Sequence, residues 1–376
     1  MSPAERPHGA ATVPDRRPLV DQILQGATSV DLRPAERPPW ILPSVADAGE
    51  ALPCVVLADS TGLVEFEVLQ RQLGRLGVPC VHLDTRSIVD VRVTAGVGDG
   101  SLLVNGRRIV PVVAWLRHFT GRGVPRLDDP AAAAFRADSW CAMVHEVVAS
   151  ASITVPGGAP GRLEQLADAS TVGLRTPRTI VTTDLASAAA GLSSERIVVK
   201  ALGQHVVEPE PGLLVYALPE IVRRGDLDGS GSPGFPVIAQ EYVEHEQELR
   251  IYYVHGDIHA FEVVKESPDA PWRNEPTVRV APAAAPAAVA DAVSALAEMW
   301  SLTYGAFDIL IAGGSPCFLE VNPDGDWRWF EVRAGVSNVT DAVAAMVRAL
   351  YRSALGGVPA LPAVELVDFL LMRGER

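Results

Sequence analysis

The runs Phe307-Asp308-Ile309 and Phe318-Leu319-Glu320-Val321-Asn322-Pro323 decide the fold. Both are short and apolar, and Ala312-Gly313-Gly314-Ser315 between them has the composition of a tight hairpin turn. Strand side chains alternate with period two, so Glu320 and Asn322 share one face. Asp308 can lie across the hairpin from them. Two carboxylates and an amide on rigid backbone suit a hard cation that also holds phosphate oxygens. The same pattern fits a hairpin with polar residues on its wet side, so the flanking sequence must decide.

Upstream, Ile197-Val198-Val199-Lys200 is an apolar strand ending in a lysine. Val237-Ile238-Ala239-Gln240-Glu241-Tyr242-Val243 follows, then Glu246, Glu248 and Arg250. This order of lysine, acid-rich segment, arginine, then Asp, Glu and Asn resembles the ATP-grasp superfamily over about residues 150–350. The run Asn322-Pro323-Asp324-Gly325-Asp326-Trp327-Arg328-Trp329-Phe330-Glu331 narrows it. It is similar to the Asn-Pro-x-Gly-x-Trp-x-Trp-x-Glu signature of ATP-grasp peptide maturases of the microviridin, or graspetide, type.

The resemblance implies ATP and Mg2+ as cofactors, with Asp308, Glu320 and Asn322 holding the metal. Lys200 ends its strand as a compact point charge suited to the α and β phosphates. Gln240, Glu241 and Val243 belong to the strand that reads the adenine edge. Glu246 or Glu248 accepts from the ribose hydroxyls, and Glu248 is the one carried forward. Arg250 would stabilise the transferring phosphate, and Lys265 is a further catalytic cation. Where the family has a lysine before the helix at 163–172, this chain has Arg162, which can fork onto two phosphate oxygens. Asp269-Ala270-Pro271-Trp272-Arg273 looks like the family's Asp-Trp-Arg loop with two residues inserted, and no role is carried onto Asp269.

Composition bounds the rest. A chain of 376 residues, 48% hydrophobic, exceeds the usual single domain and can bury sizeable cores. A net charge of −14 argues against nucleic acid as partner. The cysteines Cys54, Cys80, Cys141 and Cys317 lack CxxC spacing and read as buried apolar residues in a reducing cytoplasm. No run reaches the roughly 18 apolar residues of a spanning helix, so no membrane partner is expected. No secretory signal pattern begins the chain.

In chain order, residues 1–50 read as a disordered or loosely packed arm, rich in Pro, Arg and Ala. Residues 51–150 read as an N-terminal α/β domain. Cys54-Val55-Val56-Leu57-Ala58, a helix over Val64–Leu76 with Val64, Val68, Leu69, Leu73 and Leu76 on one stripe, and a strand over 78–83 make a β-α-β unit. Asn105-Gly106 between apolar runs is a hairpin signal, and a separate strand is expected over 112–118. Residues 130–150 read as a helix, and Trp115 and Trp140 as core. Residues 151–235 are expected as a small lid subdomain, with 201–212 a flap over nucleotide. Residues 236–376 are expected as the C-terminal subdomain, with helices over 281–300 and 340–355 and a final helix or strand over 364–374.

The expected fold is therefore α/β: an ATP-grasp core with an N-terminal α/β domain, a small lid and a C-terminal antiparallel sheet. The resemblance implies an ADP-producing ligase that activates a carboxylate as an acyl phosphate for attack by an amine or hydroxyl. It implies a precursor peptide with a leader segment as partner, and a second copy of the chain is a further candidate. The alternatives are a RimK-like ligase adding a free amino acid, and a non-catalytic peptide-binding relative.

Overall fold

Hydrophobic alternation and turn chemistry divide the described strands into four sheets. The computed structural model describes residues 28–31, 51–60, 62–96, 100–203, 206–210, 213–216, 219–228, 232–267 and 277–356, with backbone alone for 28–31, 206–210 and 213–216. The run at 269–273, the segment at 364–374 and most of the expected arm lie outside the described residues. Four residues of that arm form strand β1 (Thr28–Asp31).

The N-terminal sheet is built from β2 (Leu52–Asp59), β3 (Cys80–Asp84), β4 (Val93–Ala95), β5 (Leu102–Val104), β6 (Arg107–Leu116) and β7 (Ile153–Val155). Its order is β3-β2-β6-β5-β4, with β7 along the second half of β6. Strands β3, β2, β6 and β7 run parallel, as the β-α-β reading requires. The hairpin at Asn105-Gly106 forms with both residues at positive φ, 49° and 81°. The two strands expected on either side of Pro111 are instead one. A bulge at Val112 lets a residue without an N–H sit inside β6.

Helix α1 (Glu65–Arg75) follows β2 and buries Phe66, Leu69 and Leu73 completely. The expected stripe placed Val64 in the core, but it stands just before the helix and is 49% exposed. Phe66 fills that place, one turn ahead of Leu69. Helix α2 (Pro130–Ala149) is capped by Asp129, whose carboxylate accepts from Ala132 N at 2.7 Å.

Helix α3 (Arg162–Thr171) precedes the second sheet, formed by β8 (Thr179–Thr182), β9 (Arg196–Ala201), β12 (Glu220–Arg223) and β13 (Val237–Glu241) in the order β12-β9-β13-β8. Helix α4 (Leu185–Ala190) covers it, burying Leu185 and Ala188 against Ile197, Val199 and Val237. Strands β10 (Val206–Glu210) and β11 (Leu213–Tyr216) form a hairpin where the flap is expected, and β1 joins β11 as a third strand.

The C-terminal sheet is antiparallel throughout: β14 (Gln247–Val254), β15 (Asp257–Val264), β16 (Arg279–Ala283), β17 (Tyr304–Ala312) and β18 (Ser315–Asn322), in the order β16-β15-β14-β17-β18. The helix expected over 281–300 is shorter, α5 (Ala287–Met299), and its first residues belong to strand β16. Pro282 and Pro286 explain the boundary, since neither can donate within a helix. Helices α6 (Arg328–Ala334) and α7 (Asn338–Ala354) end the described chain.

Alternation on β14 and β17 sorts the two faces. Leu249, Ile251, Phe307 and Ile309 pack under α5 with Val293 and Leu296. Tyr252, Tyr304 and Ala306 face the other way, into a cluster with Trp115, Trp327 and Val343. Trp115 is wholly buried, its ring 5.9 Å from Trp327, as the core reading of that residue expects. The N-terminal and C-terminal sheets therefore share one apolar core.

Candidate active site

Gly313 and Gly314 take φ of 58° and 71°, the left-handed pair that a two-residue hairpin turn needs. The turn is held from outside by Glu246, whose carboxylate accepts from Gly313 N at 2.9 and 3.0 Å. Asp308 pairs with Glu320, while the next residue, Ile309, pairs with Phe318. Leu319 is thus an extra residue, and the bulge turns Glu320 onto the face that Asp308 occupies. Asn322 Nδ2 donates to Glu320 Oε1 at 3.1 Å and to Asp308 Oδ2 at 3.3 Å. The three side chains read as metal ligands converge on one point.

Three cations meet them. Arg250, 6% exposed, donates from Nη1 to both Asp308 oxygens at 2.8 Å. Arg162, at the first turn of α3, pairs with Glu320 and reaches the carbonyl of Gly203 at 3.4 Å. Lys200 Nζ lies 4.0 Å from the same Glu320 oxygen. Burial pushes the Asp308 carboxyl above its ordinary range; Arg250 opposes this, and Glu320 and Glu248 add to it. Gly325 makes room for the arginine: a Cβ there would lie 2.4 Å from Ala306 Cβ and 2.9 Å from Arg250 Nη2.

The donor set fits a magnesium ion carried by phosphates. It offers two carboxylates and an amide that presents oxygen after a half-turn of its χ2. Among the described residues, no group of three His, Cys, Asp or Glu side chains is arranged to hold a metal by itself. An ion here takes its remaining ligands from phosphate or water, the usual habit of Mg2+.

The alternatives left open at the ribose position separate in space. Glu246 is spent on the hairpin turn. Glu248, opposite Leu310 on the sheet, pairs with Lys265 at 2.8 Å, and each side chain is 11% exposed. Lys265 therefore stands beside Glu248, while Arg250 and Lys200 meet the metal-ligand cluster. Gln240 is buried and donates to Thr179 Oγ1 at 2.9 Å. The Glu241 carboxylate accepts from Ser193 N and Oγ at 2.6 and 2.7 Å, so its side chain is spent on the loop before β9. The Val243 carbonyl accepts from His245 Nδ1 at 2.9 Å.

Several residues had no role in the sequence reading. Gln165 is buried on the turn of α3 that carries Arg162, and its Oε1 accepts from Val321 N at 3.0 Å. Arg117 is fully buried and donates to the Asp324 carbonyl at 2.9 Å and to Asp326 Oδ1 at 2.6 Å. It lies 4.9 Å from the Trp327 ring centroid and 5.3 Å from that of Phe66. Glu65, on α1, accepts from Arg328 N at 3.2 Å. Trp327 Nε1 donates to Thr340 Oγ1 at 2.9 Å, and Glu331 accepts from Thr340 N at 2.7 Å. The run from Asn322 to Glu331 is thus a clasp joining β18, the N-terminal sheet and α7. A helix-phase offset of three from Arg162 is the one sequence signal that points to Gln165; the others emerge from contacts between distant segments.

No family profile matches the chain, and no curated protein matches it. Solved structures do. The macrocyclase MdnC of Microcystis aeruginosa MRC, bound with precursor peptide MdnA, is 20% identical over 79% of this chain and 100% of its own, with a TM-score of 0.65. A Chryseobacterium gregarium RiPP-associated ATP-grasp ligase, in complex with ADP and a leader and core peptide, is 17% identical over 83% and 99%, at 0.64. The ATP-grasp ligase PsnB, complexed with a phosphomimetic variant of its minimal precursor, Mg and ADP, is 19% identical over 79% and 100%, at 0.57. The fold is that of the ATP-grasp ligases.

Proposed function

We propose that this chain is an ADP-forming ligase that joins a carboxylate to an amine or hydroxyl within a ribosomally made precursor peptide. The observation that carries it is the convergence of Asp308, Glu320 and Asn322 with Arg162, Lys200 and Arg250 on one face of an ATP-grasp sheet. Phosphoryl transfer needs little else than charge positioned in this way.

The residues divide the work. Arg162 and Lys200, now compensating Glu320, turn their charge to nucleotide phosphates. Magnesium bound there with ATP would supply charge neutralisation at the phosphates. Asp308, Glu320 and Asn322 would hold it. Arg250 is fixed by Asp308 and by the space at Gly325, so it meets the γ-phosphate and the acceptor carboxylate without reorganising. Glu248, oriented by Lys265, accepts from the ribose hydroxyls. Gln240, Glu241 and Val243 line the adenine edge through the linker strand, Glu241 and Val243 with backbone groups. The β10–β11 hairpin closes over nucleotide and excludes water.

The peptide class of substrate rests on the signature run at 322–331 and on the solved neighbours, whose structures hold precursor peptides. The test is ADP release by the purified chain with a short peptide encoded beside its gene, with that peptide's leader half deleted, and with free amino acids. Release that needs the full precursor, together with loss of one water per bond formed, supports the reading. Equal stimulation by a free amino acid overturns the peptide class in favour of a RimK-like ligase.

A further inference from the structure

His118 has no part in the nucleotide site, yet its setting is that of a base. It follows β6 at the C-terminal end of a parallel strand, where α/β folds place their ligands. Its φ of 47° lies in the left-handed region that few residues other than glycine take. Strain of this kind persists where the surrounding structure must aim a side chain. Arg117 beside it is fully buried, whereas the His118 side chain is 29% exposed.

Its tautomer follows from its partners. Nε2 lies 2.8 Å from the Asp324 carbonyl oxygen and 3.6 Å from Asp326 Oδ1. A carbonyl can only accept, so Nε2 carries the proton, and the neutral ring keeps its lone pair on Nδ1. Among the described residues Nδ1 makes no hydrogen bond.

The loop that supplies both acceptors also adjoins the candidate transfer site. Gly325 lies between Asp324 and Asp326, against the Arg250 guanidinium. The Asp326 side chain is 46% exposed. Burial alone would raise its pKa, but the His118 hydrogen bond and the charges of Arg117, His118 and Arg250 lower it to about 2. His118 and Arg250 thus act on one carboxylate.

We propose that His118 is the base of the second half-reaction, taking the proton from the substrate hydroxyl or amine as it attacks the acyl phosphate. This rests on the ligase reading above. The nucleophile's oxygen or nitrogen bonds to the acyl carbon, and the carbon–oxygen bond to phosphate breaks. Phosphate leaves with the electron pair, and the proton passes to Nδ1 and then to water. The Asp324 carbonyl and the Asp326 carboxylate steady the imidazolium. Arg117, itself compensated by Glu65 and Asp326, is the cation that opposes it. The Ser60 hydroxyl holds the His118 carbonyl from beyond β2. Burial lowers the His118 pKa, but the Asp326 hydrogen bond and charge outweigh it, and the net shift is upward. The acid limb of closure should therefore lie above that of an ordinary imidazole.

The two half-reactions separate the outcomes. Hydroxylamine traps the acyl phosphate as a hydroxamate, and mass spectrometry follows bond closure in the precursor. In His118→Gln, whose amide can still donate to the Asp324 carbonyl, hydroxamate formation should stay within about threefold of wild type while closure falls about 10²–10⁴-fold. The residual closure should also lose the acid limb of its pH profile. Parallel loss of hydroxamate and closure, or normal closure, overturns the proposal. A wild-type chain that forms no hydroxamate with any precursor or amino acid overturns the ligase reading and the base together.

Discussion

Glu320 is the residue on which most of the site's charge turns. It accepts from Asn322, pairs with Arg162 and lies within 4.0 Å of Lys200. Glu320→Gln keeps the shape and removes the charge, and Asn322→Ala removes the amide oxygen. Each should lower turnover by about 10²-fold or more, with thermal unfolding little changed. Near-normal ADP release by either variant would remove that residue from the metal set. Arg162 offers a finer test, because its length lets it span Glu320 and the Gly203 carbonyl. Arg162→Lys should keep activity. Arg162→Ala should weaken nucleotide binding by the roughly 1.5–3 kcal/mol of a charge-assisted bond. Calorimetry showing unchanged ADP affinity for the alanine variant would place Arg162 outside the nucleotide site.

At the scale of the element, the exposed edge of β18 carries the ligands and needs support. Among the described residues, no further strand of its sheet lies beyond it. The backbone of Arg175 supplies two partners, donating to the Pro316 carbonyl and accepting from Phe318 N at 2.8 Å. Gln165 supplies the third, at Val321 N, between Glu320 and Asn322. Gln165→Leu leaves that buried N–H unpaired and should cost about 1–3 kcal/mol of stability. Because the unpaired group lies between two metal ligands, the Mg2+ concentration for half-maximal ADP release should rise as well. Chemical denaturation and a magnesium titration check both parts; a variant as stable as wild type would show that water replaces the amide.

At the scale of the whole molecule, the N-terminal and C-terminal sheets are joined through buried charge as well as apolar packing. Glu65, 3% exposed, meets Arg328 N across this junction. Burial first, and then the Asp326 charge, push its carboxyl from 4.5 to about 7, while Arg117 pulls the other way. The folded state thus holds this proton more tightly than the unfolded chain does. Its contribution is fully present below about pH 4.5 and is lost as pH rises through about 7. Glu65→Gln stays neutral and keeps an acceptor for Arg328 N. Its melting temperature should therefore gain on wild type as pH rises from about 5 to about 8. A gap that does not vary with pH would mean that Glu65 is ionised throughout.

The sequence by itself determined the local chemistry. Gly313-Gly314 and Asn105-Gly106 could only be tight turns, because two successive left-handed residues need a missing or polar side chain. Period two then placed Glu320 and Asn322 on one face, and the order of Lys200, Arg250 and Asp308 carries the resemblance to the ATP-grasp fold. Alternation could not show that Pro111 is absorbed by a bulge. Nor could it show that residues 279–283 form a strand, since alanine-rich composition favours helix until a sheet edge offers β15 as partner. Glu246 and Glu248 are alike as residues two apart; only the positions of the Gly313 amide and Lys265 distinguish them. Arg117, His118, Glu65 and Gln165 acquire their roles from partners more than 150 positions away. Such pairings are set by how the two sheets share one core, and no local period or motif encodes them.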